Sequence, residues 1–141
     1  MRNNNAVALT SRITEAANRL IVHELEARGI RGIVPSHGGI LGLLLTGERY
    51  TMQELAEKIH RTKPTVTVLV DKLVQLGYVV KEKSRDDNRV TFLHLTEQGR
   101  ALQPLFEAVS EVLNKTVYQG LSDTEAEQLE RLLQKVKNNL K

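Results

Sequence analysis

The stretch from residue 51 to residue 99 most constrains the fold, because two short amphipathic helices, a tight turn and a charged hairpin follow one another there. Residues 51–54 form a capping box, in which the Thr51 oxygen and the Glu54 carboxylate bind each other's backbone N–H groups. Apolar residues at helical spacing continue to Ile59, and a break at residues 60–62 ends the helix. This first helix is therefore predicted to pack one face against a core.

The second helix of this stretch has both a start and an end signal. Pro64 is tolerated in a first helical turn, where its missing N–H costs no hydrogen bond, and Gly77 suits the position just after a helix. We predict a helix over residues 63–76. Its buried face is marked by four apolar residues, Val66, Leu69, Val70 and Leu73.

The opposite face of the second helix carries short side chains near its start, including Thr65, Thr67 and Val68. Short side chains allow a helix to lie deep in a groove, and the positive end of the helix dipole lies at the same end. This pattern favours a recognition helix that contacts base edges in the major groove of DNA. An ordinary amphipathic surface helix is the alternative interpretation.

Two runs rich in β-branched and aromatic residues, 78–83 and 90–95, flank a polar run at residues 84–88. The two runs predict strands, and the polar run has the composition of a turn. A hairpin that follows two such helices is a wing. The predicted fold class is therefore mainly α with a small β-hairpin wing, a winged helix-turn-helix over residues 36–99 with its wing at residues 78–95.

These residues resemble the MarR (multiple antibiotic resistance regulator) family of transcription factors. The wing signature of that family is similar to two short runs in this chain, residues 87–89 (DNR) and, after five further residues, residues 95–99 (LTEQG). Residues 65–73 (TVTVLVDKL) are similar to its recognition helix. The wing departs from the family pattern at Asp87 and Val90, where the family often has a proline and a second arginine. The resemblance implies a homodimeric DNA-binding regulator, a repressor released or modulated by a small-molecule effector.

The predicted DNA-binding residues divide by role. We expect Thr65, Thr67 and Val68 to contact bases, Val68 through a thymine methyl group. We expect Arg89 to anchor the wing on the DNA backbone or in the minor groove, and Asp87, which phosphate repels, to orient Arg89. The remaining predicted contacts are Thr62 and Pro64 at the helix start, and five cations for phosphates: Lys63, Lys72, Lys81, Lys83 and Arg85. The expected partner is double-stranded DNA with an inverted-repeat operator.

Before the winged segment, apolar residues recur at steps of three and four from Ala6 to Arg28 and predict a long amphipathic helix. After a loop, Ser36 is predicted to cap a short apolar helix that ends near Leu45. Residues 49–50 are predicted to add a third strand to the wing.

After the wing, a second long helix is predicted from Leu102, with Gly120 ending it. Ser122 then starts a last helix through another capping box. The 141 residues are predicted to form one domain, in which residues 6–34 and 100–141 supply dimerisation helices, because their apolar faces exceed what a small winged domain can cover. A monomer with its end helices folded back is the alternative.

Charge and composition narrow the class of protein. The net charge is only +3, but residues 61–100 hold eight basic and five acidic residues, so the basic excess lies where phosphate would be bound. The absence of cysteine excludes a disulfide framework and a thiol redox sensor. No signal peptide or membrane span is recognisable, so a cytoplasmic protein without membrane contact is expected.

The glycines of the predicted short helix and two histidines are candidate ligand-binding residues. The run from Gly38 to Gly42 lacks the Gly-Lys-Ser/Thr ending of a phosphate loop, so it either permits close packing or lines the effector crevice that the family resemblance implies beside this helix. His23 and His37 are either partly buried polar residues or hydrogen-bonding groups for an anionic effector. No metal site and no cofactor are expected, because the histidines lack ligand spacing.

No pattern of an activated nucleophile or of paired catalytic carboxylates is present in the sequence, so an enzyme is not expected. Two rival functions remain. One is a winged helix that binds an acidic protein partner, and the other is a ligand-binding or catalytic dimer that has lost DNA binding.

Overall fold

The computed structural model describes residues 2–140 and confirms the predicted fold class, a mainly helical chain with one small antiparallel sheet. The N-terminal half of the chain contains α1 (Ala6–Ala27), α2 (Pro35–Leu44), β1 (Tyr50–Thr51), α3 (Met52–Ile59) and α4 (Lys63–Gln75). The C-terminal half contains β2 (Val79–Lys83), β3 (Thr91–Leu95), α5 (Glu97–Arg100), α6 (Gln103–Val117) and α7 (Asp123–Asn139).

The helix-turn-helix forms as its capping signals predict. The Glu54 N–H donates to Thr51 Oγ1 at 3.1 Å, and Glu54 Oε1 accepts from the Thr51 N–H at 2.9 Å. His60 ends α3 in the left-handed conformation, at φ 56°, which turns the chain towards α4. Thr62 caps α4, since its Oγ1 accepts from the Thr65 N–H at 3.4 Å.

The sheet has the strand order β1-β3-β2, so the predicted third strand pairs with β3 rather than with β2. Tyr50 lies opposite Leu93, and Val79 lies opposite Leu95. These four side chains are buried and belong to the core that the sheet shares with the helices. The core between sheet and helices is completed by fully buried residues of α2, α3 and α4: Ile40, Leu41, Leu44, Leu55, Val66, Val70 and Leu73.

The cap of α2 differs from the prediction. Val34, not Ser36, is the N-cap residue, and Pro35 is the first residue of the helix. The His37 Nδ1 accepts from the Val34 N–H at 2.9 Å, so a side chain of the first helical turn binds back to the N-cap residue. Ser36 is exposed on the surface of α2.

The connection after the wing also differs, because a separate short helix, α5, precedes α6. The Thr96 Oγ1 accepts from the Gly99 N–H at 3.0 Å and donates to the Gly77 carbonyl at 2.6 Å, which ties α5 to the end of α4. A Cβ at Gly99 would overlap the Tyr78 carbonyl, so only glycine fits there. The next helix ends at Val117, and Gly120 lies in the following turn rather than ending the helix.

The outer helices leave apolar surface exposed. Among its residues, α1 buries only Leu25, and α7 buries none. A groove of about 640 Å³ runs between α1, α6 and α7 and is mainly apolar, with Leu9, Ile13, Leu129 and Leu133 among its lining residues. Over residues 2–140, no helix is both long and apolar enough to span a bilayer.

Candidate nucleic-acid interface

The first half of α4 presents small side chains to solvent. The Val68 side chain is 70% exposed, although it is apolar, and Thr65 is exposed beside it. Thr65 Oγ1 accepts from the Thr62 hydroxyl at 3.0 Å and keeps its own proton for another acceptor. Thr67 is half-buried, and its hydroxyl donates to the Lys63 carbonyl at 2.9 Å, so it is the least available of the three predicted base-contacting residues.

The wing tip holds one arginine in a fixed orientation. Arg89 donates from Nε to Asp87 Oδ1 at 3.1 Å and from Nη2 to Oδ2 at 3.2 Å, while its backbone N–H reaches Oδ1 at 3.0 Å. These hydrogen bonds hold the pKa of the Asp87 carboxyl below its usual value, and the bonds from the Arg89 side chain have the larger effect. The Arg89 side chain is nevertheless 91% exposed, so it is both oriented and available.

The turn that carries this pair is stabilised by Ser84. Its Oγ accepts from the N–H groups of Asp86 and Asp87 at 3.2 and 3.4 Å. The Ser84 N–H donates to the Val90 carbonyl at 2.9 Å, which closes the hairpin behind the turn. The tip therefore has local order without a hydrophobic core of its own.

The base of the wing is joined to α4 by an ion pair. Lys81 Nζ lies 2.7 Å from Asp71 Oδ1, although Lys81 belongs to β2 and Asp71 to the exposed face of α4. The sequence by itself assigns no role to Asp71. No periodicity or motif signals the pair, because it depends on how the hairpin packs on the helix.

A cleft of about 360 Å³ lies where α3, α4 and the wing meet. Three of its lining residues are cations from different parts of the fold: Lys63 from α4, Lys81 from β2 and Arg89 from the wing tip. Thr51, Gln53 and Thr91 add uncharged polar side chains to the same lining. The structure thus brings together three of the cations that the sequence predicts for DNA binding.

The other predicted cations are more widely spread. Lys83 and Arg85 are exposed on the wing, and Lys72 is exposed on α4. Lys72 lies farther from the cleft, with its Cε against the α1–α2 loop, where Gly32 has φ +85° and leaves room for the lysine stem. At the start of α4, Thr62 and Pro64 are exposed.

A second cavity, of about 300 Å³, lies between α1, α2 and α6. The candidate residues Gly38 and Gly42 line it, and a Cβ at either would meet nothing within 4 Å. Close packing therefore explains only Gly39, whose Cβ would lie 3.3 Å from Ile59. The other lining residues are apolar apart from Ser110: Ile21, Leu25, Ile33, Val34, Pro35, Leu45, Phe106, Val109 and Leu113.

The two candidate histidines do not meet at this cavity. His23 is exposed in a shallow groove along α1, with Glu15, Arg19 and Glu26. His37 is 3% exposed, and its Nε2 is buried without a hydrogen-bond partner among the described residues. Burial lowers the pKa of His37, and the Lys72 charge lowers it further. Between residues 2 and 140, no three carboxylates and histidines cluster as metal ligands would.

A helix-turn-helix with an adjoining wing, and cations from both around one cleft, defines the winged-helix class. A family model described as the MarR family matches residues 31–89. The chain is 30% identical over 111 residues to the HTH-type transcriptional regulator MhqR of Bacillus subtilis, covering 78% of this chain and 76% of that protein. It is 27% identical to the regulator YkoM of the same organism, covering 80% of this chain and 73% of YkoM.

Solved structures show the same fold. A mutant MarR from E. coli, complexed with operator DNA, has a TM-score of 0.80 at 23% identity, covering 96% of this chain and 99% of that one. The S. aureus MepR–DNA complex has a TM-score of 0.82 at 24% identity, covering 94% and 96%. The chain belongs to the MarR family, and it is a transcriptional regulator rather than an enzyme.

Proposed function

We propose that this protein binds double-stranded DNA sequence-specifically as a homodimer, with α4 in the major groove and the wing on the backbone or in the minor groove. The observation that carries the proposal is the cleft shared by α4 and the wing, which is lined by Lys63, Lys81 and Arg89, while Thr65 and Val68 are exposed on the same helix. Cations beside small, exposed side chains suit a surface that binds phosphates and contacts base edges together. The MarR and MepR structures of the same fold are complexes with DNA.

The pairing of two copies is supported by the apolar groove between α1, α6 and α7. Leu129, Leu132, Leu133 and Val136 of α7 are between 38% and 51% exposed. Tyr118 holds α7 to α6, since its hydroxyl donates to Glu130 Oε2 at 2.6 Å, but the contact is polar and leaves the apolar face open. A second copy that packed its own outer helices against this face would remove the apolar surface from water.

Modulation by a small effector is supported by the cavity between α1, α2 and α6. Its lining has no charged side chain and one hydroxyl, Ser110. An anion there would lose hydration without gaining a counter-ion, so an uncharged, largely apolar molecule fits better. The anionic effector expected from His23 and His37 does not suit this cavity, which neither histidine lines. In this proposal the protein is a repressor whose effector lowers its affinity for DNA.

The DNA-binding proposal is tested by selecting duplexes from a random library with the purified protein and then footprinting the selected sites. An inverted repeat, bound more tightly than scrambled DNA at both low and high salt, is the expected result. Weak binding without sequence preference would instead support a winged helix that binds an acidic protein, or a dimer that has lost DNA binding.

The effector proposal is tested with the uncharged fluorescent probe N-phenyl-1-naphthylamine. Probe binding to the parent is expected to fall sharply in Gly42→Leu, because the new side chain fills the cavity. Ser36→Leu adds the same side chain to the exposed surface of α2 and serves as the matched control. Equal probe binding by the parent and Gly42→Leu would contradict the cavity assignment.

A further inference from the structure

The ion pair between Lys81 and Asp71 joins two elements that DNA would contact separately. Lys81 is 41% and Asp71 56% exposed, so water surrounds the 2.7 Å contact and its own contribution to stability is small. The pair nevertheless fixes where the Lys81 ammonium lies. It also ties the base of the wing to the middle of α4.

The position of Lys81 matters because of its neighbours in the cleft. Lys63 and Arg89 line the same space, so three like charges lie around a volume of about 360 Å³. Mutual repulsion favours a long lysine side chain turned away into solvent. The Asp71 carboxylate opposes this repulsion through its contact with Lys81, just as Asp87 orients Arg89 at the wing tip.

We propose that Asp71 is a positioning residue for DNA binding, which holds Lys81 at the cleft so that one backbone phosphate is bound by α4 and the wing together. This inference rests on the proposed function. Asp71 itself does not contact DNA in this arrangement. Its carboxylate acts through Lys81, and its loss would leave the lysine and the wing base free to move.

Because Asp71 is negatively charged, the proposal is tested by whether its removal strengthens or weakens DNA binding. A carboxylate on a DNA-binding face repels phosphate, so Asp71→Asn should tighten binding if repulsion were its only effect. If Asp71 positions Lys81, the same change should weaken binding by about two- to fivefold, the range expected for a solvent-exposed pair. The fold should persist, because neither side chain is buried.

The experiment measures affinity for a duplex selected by the parent protein, over a range of salt concentrations, for Asp71→Asn, Lys81→Gln and the double variant. The salt slope is the slope of the logarithm of affinity against the logarithm of salt concentration. Lys81→Gln should lower its magnitude by about one unit, and Asp71→Asn should lower it as well. In the Lys81→Gln background, Asp71→Asn should no longer weaken binding, because its partner is gone. Asp71→Glu should restore part of the parent's affinity.

Asp86→Asn is the matched control, because it removes the same charge from an exposed wing residue that forms no ion pair among the described residues. It should bind DNA as tightly as the parent or more tightly. The proposal is overturned if Asp71→Asn does the same, or if it weakens binding equally with and without Lys81. A parent protein that shows no sequence preference at all would instead contradict the proposed function.

Discussion

The guanidinium of Arg89 and the carboxylate of Asp87 are joined by two side-chain hydrogen bonds, of 3.1 and 3.2 Å, at the tip of the wing. The geometry fixes the plane of the guanidinium while 91% of the side chain stays exposed. An exposed arginine normally samples many rotamers, and ordering it on binding costs free energy. Asp87 reduces that cost before any partner is bound.

The first prediction concerns this arginine. Arg89→Ala should weaken binding to the selected duplex by about tenfold or more and lower the salt slope by about one unit, because one phosphate contact is lost. Helix content and oligomeric state should not change, since the exposed wing tip contributes little to the core. Unchanged affinity in filter-binding titrations would show that this hairpin is not a DNA-contacting wing.

Asp87→Ala provides the second half of that test. Without the carboxylate, Arg89 is no longer oriented, so binding should weaken, though by less than in Arg89→Ala. Removing a negative charge has the opposite effect on non-specific attraction to DNA. Tighter binding by Asp87→Ala would mean that the carboxylate is only a solvated turn residue.

Local signals made the winged segment predictable. The capping residues Thr51 and Ser122 and the glycine at position 77 each act within a few residues, so the structure confirms them where the sequence places them. Ser36 is not the cap because Pro35 already starts the helix, and the start is instead stabilised by His37, which accepts from the Val34 N–H. Such competition between neighbouring capping groups depends on the path of the preceding loop.

The second prediction concerns base contacts from α4. Thr65→Ala and Val68→Ala should each relax the preference at one base pair by about 1–3 kcal/mol, because each removes a single hydrogen bond or methyl contact. Affinity for scrambled DNA should change much less. Binding measured against a set of single-base operator variants distinguishes the two effects, and a uniform loss over all sequences would contradict base contact.

The third prediction concerns the outer helices. Leu133→Glu should convert the protein to a monomer in light scattering, because a charge would enter the apolar groove between α1, α6 and α7. Helical content should be retained, since α7 buries no side chain within one copy. Gln134→Glu, which adds the same charge on the same helix, is the control. Ending the chain after Gly120 should likewise abolish the dimer or the fold, and a well-folded monomeric parent would contradict the proposed pairing.

The candidate site was less predictable than the fold, because its geometry joins residues distant in sequence. Cations such as Lys63 and Arg89 follow from composition and motif, but their meeting in one cleft depends on how the wing packs. The ion pair of Asp71 with Lys81 spans ten positions and two elements. The burial of His37 also depends on tertiary packing, since the sequence left it open whether this histidine is buried or binds a ligand.

The last prediction follows from that burial. His37 Nδ1 accepts a hydrogen bond from the Val34 N–H, so the folded protein needs the neutral imidazole. Burial and then the Lys72 charge lower the pKa of His37 below its usual value of 6.5. As the pH falls below 6.5, the unfolded chain therefore takes up a proton before the folded protein does. The stability that His37 contributes is complete above that pH and is lost as the pH falls towards the lower pKa of the folded state.

Thermal unfolding measured between about pH 7.5 and pH 5 checks whether stability falls with pH in this direction. His37→Gln should cost at most about 1 kcal/mol near neutral pH, because the glutamine amide oxygen can accept from the Val34 N–H in place of the imidazole. The variant should also lose less stability than the parent on acidification, since it cannot take up the proton. His23→Gln removes an exposed histidine from α1 and should keep the parent's pH dependence. If His37→Gln and the parent lost stability equally as the pH fell, protonation of the buried imidazole would not explain how the stability of the parent depends on pH.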